Sequence, residues 1–317
     1  MTAHLANGGL RDARVLVTGP TGQVAQPLAI TLAGANEVWG VARFRDAAAR
    51  ERLEAAGVHC VPVDLAAGEY EGLPERVDYV LNFAVAHGGP DDFDRDLAAN
   101  AEATGLLMQR FRDAQAFMHC SSTGVYEPAG HHRLKETDPL GDNHRVMMAT
   151  YSVCKIAAEA VARTAARQLD LPTTIARLNV PYGDNGGWPS FHLVMMLAGQ
   201  PVPVHPDAPS LYNPIHDDDI AAQIPRLLEI ASVPATIVNW AGRDQASIED
   251  WCAYLGELTG LEPKVVTTDQ TIGSVTTDNT RMHELIGETT VSWRDGFRRM
   301  VAARHPELLK GEEEVAR

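Results

Sequence analysis

Positive charge is scarce in this 317-residue sequence: 27 lysines and arginines face 42 aspartates and glutamates, a formal net charge of −15. That balance argues against a nucleic-acid partner, whose phosphates need cationic neutralisation. Cysteine is sparse as well. Cys60, Cys120, Cys154 and Cys252 are scattered without Cys-x2-Cys or Cys/His ligand spacing, so they read as reduced packing residues and no metal site is expected. No run approaches the ~20 apolar residues of a membrane span. Residues 1–12 lack the apolar stretch of a secretory leader. Internal repeats and low-complexity tracts are missing too. The expectation is a soluble cytoplasmic protein with no membrane partner. Its composition is ordinary, 45% hydrophobic and 22% charged, and it is long enough to bury a substantial core.

What is there is alternation. Residues 14–18, 37–41, 58–63, 77–83, 116–120 and 173–178 read as short apolar strands, with helices over 23–33, 46–56, 93–112 and 145–169 between them. Pro27 suits the first helix only near its first turn. Strand and helix in turn predict an α/β protein built on a Rossmann-type doubly wound parallel sheet. Beyond 178 the texture changes. Residues 181–216 are rich in Pro and Gly around a short helix near 191–198, followed by a strand at 236–240 and helices at 247–259 and 293–304. The chain is therefore expected to divide into a nucleotide-binding domain (8–178), a smaller C-terminal substrate-binding lobe (179–310) whose segments can return to the first domain, and a frayed charged tail (311–317).

The first strand runs into Thr18-Gly-Pro-Thr-Gly-Gln-Val-Ala25 and then a helix. Glycines there let backbone approach a pyrophosphate, and the helix start offers free N–H groups and a partial positive charge. Gly19, Thr21, Gly22, Gln23 and Val24 are the predicted cofactor contacts, and the small Ala25 allows helix and strand to pack closely. The second strand ends at Arg43, where an enzyme selective for NAD would carry an acidic residue for the ribose hydroxyls. An Arg suits a 2′-phosphate and favours NADP over NAD. Asp64 and Leu65, after the third strand, are placed to meet the adenine.

Tyr151 and Lys155 lie four residues apart in a helix-forming stretch, so they share a face. A free tyrosine titrates near ~10, and a fixed positive charge beside a phenol favours the phenolate. With the cofactor turn in hand, the chain resembles the extended short-chain dehydrogenases/reductases of the NAD-dependent epimerase/dehydratase group, nearly end to end. The turn resembles the family's Thr-Gly-x-x-Gly-x-x-Gly/Ala. Asn82-Phe-Ala-Val-Ala86 falls where the fourth strand meets the nicotinamide ribose, and Asn100 at the usual Asn of the next helix. Cys120-Ser-Ser-Thr-Gly-Val-Tyr126 resembles Ser-Ser-x-x-Val-Tyr, Arg177 to Gly183 resembles Arg-x-x-Asn-x-Tyr-Gly, and Ile215-His-Asp-Asp-Asp-Ile220 and Asp278 to Gly287 match two C-terminal motifs.

The resemblance implies Ser122, Tyr151 and Lys155 as catalytic residues, with Phe83, Ala84, Asn100 and Lys155 beside the cofactor. It also implies a homodimer through the helices at 93–112 and 145–169. His87, Thr123, Asn179, Trp188 and Tyr212 are the candidate substrate contacts, with Met147, Met148 and Thr150 bordering the site. Three departures refine the expectation. Sugar dehydratases carry Asp-Glu after the catalytic Ser/Thr, and decarboxylases a Glu at the second of those places. Here they are Thr123-Gly124, so elimination and decarboxylation fall behind hydride transfer. No Arg precedes Ile215-His216 to clamp a diphosphate, leaving Arg226 and Arg243 as remoter sources of charge, and the motif Asn comes one place early, at Asn179. The expected function is hydride transfer at a secondary alcohol or ketone carbon of a sugar-nucleotide-like or other polar small molecule. The alternatives are an NADPH-dependent reductase of a non-nucleotide metabolite and a non-catalytic NADP(H)-binding sensor.

Overall fold

Seven strands make the central sheet: β1 (Arg14–Thr18), β2 (Glu37–Ala42), β3 (His59–Pro62), β4 (Tyr79–Asn82), β5 (Ala116–Ser122), β6 (Thr173–Leu178) and β7 (Thr236–Trp240). Their order is β7-β6-β5-β4-β1-β2-β3, and every pairing is parallel. The computed structural model describes residues 5, 9–86, 88–89 and 92–309. The strand order reverses at β1, which lies between β4 and β2. In an open α/β sheet such a switch point leaves a crevice beyond the carboxyl ends of the strands.

Parallel strands are covered on both faces, and β5 and β6 are buried at every residue. Alternation sorts their side chains. Val15, Val17 and Leu81 face a core shared with α1 (Ala25–Ala33), α2 (Ala47–Ala55) and α7 (Asp217–Glu229). Leu16, Val80 and Phe117 face the opposite one, closed by α4 (Ala103–Arg110) and α5 (Tyr151–Leu169). Alanines 158, 162 and 166 on the buried side of α5 allow close approach. At Gly105 of α4 a Cβ would stand only 2.9 Å from Val161 Cγ1. A separate apolar core, centred on Tyr182, Tyr212, Trp251 and Phe297, joins α6 (Trp188–Leu197), α8 (Ile248–Thr259) and α10 (Trp293–Arg304). Among the described residues no helix is long and apolar enough to cross a membrane.

Two expected helices are corrected. The helix at 93–112 is interrupted: α3 (Phe93–Leu97) passes through a π turn (Ala98–Glu102) before α4. The long helix begins at Tyr151, not at 145. Residues 144–148 close a turn instead, with the N–H groups of Met147 and Met148 donating to His144 O. The Thr150 hydroxyl is drawn to buried Asp96 at 2.7 Å, so Thr150 anchors the start of α5 to α3. Pro27 is the third residue of α1, within its first turn.

At the start of α7 the three aspartates do different work. Asp219 accepts from the N–H groups of Thr290 and Val291, and Asp218 pairs with Arg299 at 2.6 Å. Burial, then the charges of Asp218 and Asp184, push the Asp217 carboxyl up to about 8. A raised carboxyl pKa means that the folded state holds a proton the unfolded chain releases, so stability falls as pH rises from ordinary carboxylate values to about 8. Asp217→Asn is expected to be more stable than the parent by about 1–3 kcal/mol above pH 8, with the gap closing in acid. Urea unfolding at both ends of that range checks it; a gap that does not grow with pH rules it out.

Candidate active site

The cofactor turn is built around Thr18. Its hydroxyl donates to Asn82 Oδ1 at 2.7 Å and accepts from the N–H groups of Phe83 and Ala84 at 3.1 and 2.9 Å. The loop after β4 is thereby held against the turn after β1. Gly19 adopts φ +65°, and a Cβ there would fall 2.9 Å from Ala84 Cα, so the approach of the two loops requires glycine. α1 begins at Ala25, so its N-terminal end, with the partial positive charge of the helix dipole, follows the turn. These residues fit a dinucleotide pyrophosphate.

A cavity of about 380 Å³ opens there, lined by Gly19, Thr21, Gly22, Phe83 and Ala84. Its far end is lined by Arg43, Arg45, Asp64, Leu65 and Arg95. Asp46 and Asp64 each cap a helical turn, accepting from Ala49 N and Ala66 N. Among the described residues Arg43 and Arg45 have no ion-pair partner. Asn100 stands outside both cavities described here. Its amide grips the backbone N–H and C=O of Ala86, at 2.9 and 2.7 Å, from within the π turn. It shapes the loop that the cofactor would touch.

A second cavity, of about 460 Å³, adjoins the first, with Gly22, Gln23 and Val24 in its wall. Ser122 closes β5, Tyr151 opens α5, and Lys155 follows one turn later; all three line this space. Lys155 is buried, and its Nζ donates to Cys120 O at 2.7 Å and lies 6.0 Å from the Tyr151 ring centre. Ser122 Oγ accepts from Gly124 N at 3.0 Å. It caps backbone and at the same time keeps its own O–H as a donor. Beneath them, Asn82 joins Thr104 and His119 in a buried network, and burial, then Lys155, drives the His119 pKa down to about 3.

The candidate substrate residues Thr123, Asn179, Trp188 and Tyr212 all line this second cavity, and so do Met147 and Met148. Asn179 uses its amide inside the protein, donating to Thr123 Oγ1 and Val275 O and accepting from Val180 N and Asn213 N. Tyr212 donates its hydroxyl to Gly273 O at 2.8 Å and sets its ring edge-to-face with Trp188. Both aromatic side chains therefore serve as walls. His87 lies outside the described residues. Arg226 and Arg243 are exposed, paired with Glu229 and Asp244, and line neither cavity. Sequence reasoning missed His144, Val180, Ile272 and Val275 in the wall. His144, Ile272 and Val275 stand in no periodic pattern or motif that would single them out, whereas Val180 occupies the place of the Asn in the Arg177–Gly183 motif.

The turn is also tied to a segment 162 residues away: Asn185 donates to Gln23 O at 2.7 Å, and Gln23 Nε2 returns to Asn185 Oδ1 at 3.4 Å.

A trifunctional UDP-glucose 4,6-dehydratase/UDP-4-keto-6-deoxy-D-glucose 3,5-epimerase/UDP-4-keto-L-rhamnose-reductase of Arabidopsis thaliana is 21% identical over 251 residues. The match takes in 72% of this chain but spans only 36% of that relative. Two solved structures share the fold. The UDP-glucuronic acid 4-epimerase of Bacillus cereus, in complex with UDP-glucuronic acid and NAD, superposes with a TM-score of 0.76 at 20% identity, covering 92% of this chain and 98% of that one. The dTDP-glucose 4,6-dehydratase of Streptomyces venezuelae, with NAD bound, gives 0.79 at 21% identity, covering 92% and 97%. Residues 15–239 match the model of the NAD dependent epimerase/dehydratase family, and the chain belongs to that NAD-dependent family.

Proposed function

We propose that this enzyme transfers hydride at a secondary alcohol or ketone carbon, with Tyr151 as the acid/base. The observation that carries the reading is the convergence of the Ser122 hydroxyl, Tyr151 and Lys155 on one cavity beside the cofactor turn. When bound, the nicotinamide supplies the hydride acceptor for an alcohol or the hydride donor for a ketone. Tyr151 takes the hydroxyl proton in the first direction and returns it to the carbonyl oxygen in the second. The free O–H of Ser122 donates to that oxygen as charge develops on it. Lys155, anchored by one N–H to Cys120 O, keeps two donors and a fixed positive charge close to the phenol.

Dehydration is disfavoured in this reading, because Thr123 and Gly124 provide no carboxylate for eliminating water. Redox-neutral epimerisation and net reduction share the same proton chemistry and separate in one experiment. Protein is purified, its bound nucleotide released and identified, and the emptied protein offered reduced cofactor together with a ketone as hydride acceptor. Tightly retained nucleotide with no net change of nicotinamide absorbance supports epimerisation. Free exchange and consumption of reduced cofactor support a reductase. Tritium at the carbinol carbon of an alcohol substrate that never appears on nicotinamide C4 in a single turnover would sink hydride transfer in both forms.

NADP(H) is favoured over NAD(H) by Arg43 and Arg45, which line the cofactor cavity and have no ion-pair partner among the described residues. Arg43→Ala is expected to weaken NADPH about tenfold while moving NADH less than about twofold. Fluorescence titration of both cofactors checks this, and equal losses for the two would refute a 2′-phosphate contact.

A further inference from the structure

We infer that the substrate is an uncharged ketone or secondary alcohol with a largely apolar body, and that His144 receives a hydrogen bond from a hydroxyl on it. This rests on the hydride-transfer reading above and adds the substrate class. Three observations converge.

The first is charge. Among the described residues lining the 460 Å³ cavity, Lys155 is the one cationic side chain, and no Asp, Glu or Arg joins it. Lys155 already donates to Cys120 O at the foot of the site. Outside the cavity, beyond Tyr212, Glu249 accepts from Ser210 N and adds its charge to burial in raising the Tyr212 phenol. A phosphate or diphosphate entering here would lose water and meet Lys155 as its one counter-charge among the described lining residues, too little to offset the desolvation of two or more negative charges.

The second is space and texture. Gly22, Gln23 and Val24 share this wall, so the cavity must also take the nicotinamide end of the cofactor. Only part of a volume already at the low end for ligand sites is left for substrate. That part is faced by Val85, Met147, Met148, Val180, Ile272 and Val275. The polar ends of Tyr212 and Asn179 are turned into the protein.

The third is His144. Its ring stacks on Tyr151 with centres 5.3 Å apart and planes at 28°. It also occupies the room above Gly124, where a Cβ would stand 3.1 Å from His144 Cε1. Asn143 fixes which nitrogen is free. The Asn143 amide N–H donates to Thr123 O at 3.2 Å, so its oxygen is the atom that meets His144 Nδ1. Nδ1 must therefore carry the hydrogen, leaving Nε2 with its lone pair. Nε2 has no partner among the described residues. Burial pulls the ring's pKa down to about 4, so it is neutral in ordinary buffers. A neutral acceptor beside the acid/base, in an otherwise apolar wall, suits a hydroxyl neighbouring the reacting carbon.

Calorimetric titration of cofactor-loaded protein tests this with three probes: cyclohexanone, 2-hydroxycyclohexanone and UDP-glucose. The expected result is that both ketones bind, the hydroxyketone about tenfold tighter, and that UDP-glucose gives neither heat nor a thermal shift. His144→Phe keeps the stacked ring and is expected to erase the tenfold preference while leaving cyclohexanone affinity unchanged; His144→Leu serves the same end should the Phe variant not fold. Binding of UDP-glucose more tightly than the ketones, or failure of both ketones to bind, overturns the substrate class. A preference that survives both variants removes His144 from the site. The test is separable from the proposed chemistry: wild-type protein that binds the ketones yet neither oxidises reduced cofactor nor passes label between a carbinol carbon and nicotinamide C4 would end the hydride-transfer reading and leave the substrate class standing.

Discussion

Tyr151→Phe is expected to lower turnover by about 10²–10⁴-fold, the usual worth of a positioned general acid/base, while cofactor affinity stays within about twofold of the parent. The geometry makes this substitution unusually clean. Among the described residues the Tyr151 hydroxyl makes no hydrogen bond, so its removal strands no partner. The ring that remains still stacks on His144 and still lies beside Lys155. Lys155 keeps its bond to Cys120 O, and Ser122 keeps its backbone cap. A large loss of rate without loss of stability is thus the signature of a missing proton carrier rather than of a damaged fold. Steady-state consumption of reduced cofactor with the ketone probes, alongside thermal unfolding, provides the measurement. A variant retaining more than a tenth of parental turnover would transfer the proton role to another group on the wall, with His144 the first to examine.

What could be read from sequence was whatever chemistry is local. The turn from Thr18 to Ala25 is legible because strand, glycines and helix follow one another within a dozen residues, and the structure brings Gly19, Gly22 and the start of α1 to one crevice. The Tyr151/Lys155 pair is legible because helical spacing alone puts both on one face. The start of α5 was misread for the opposite reason. Residues 145–149 favour a helix locally, but Thr150 is held by Asp96, 54 positions away, a contact that no propensity encodes. Asn100 is expected beside the cofactor from its motif, but that its amide holds the backbone of Ala86 shows only in the fold. The wall of the second cavity is harder still. Ile272 and Val275 come from more than a hundred residues beyond Tyr151, and as isolated apolar residues they look like any others. The apolar character of the site, which bears most on the substrate, was therefore invisible until the chain was folded.

The largest stability effect should come from a pair that never touches substrate. Glu159 and Arg177 are each about 98% buried (both 2% exposed) and form two parallel hydrogen bonds, 2.9 and 2.8 Å. Ser121 donates to the same Glu159 oxygen, and Arg177 also reaches Glu136 O at 3.1 Å and lies 4.8 Å over the Tyr126 ring. The pair joins α5 to β5 and β6 one turn beyond Lys155 and one residue before Ser122, so it sets the distance between the helix and the strand that carry the proposed catalytic groups. Removing one partner leaves a charge in the interior without compensation. Arg177→Met is expected to cost about 3–5 kcal/mol, read by urea unfolding. The double variant Glu159→Leu/Arg177→Met should be distinctly less damaged than the two single variants added together, because no buried charge is left behind. Loss of less than about 1 kcal/mol in Arg177→Met would mean that water reaches the site when the pair opens. Turnover supplies an independent readout: if the pair spaces helix and strand, the surviving folded fraction of Arg177→Met should be slower per molecule than the parent, whereas a pair that only stabilises would leave the rate of that fraction untouched.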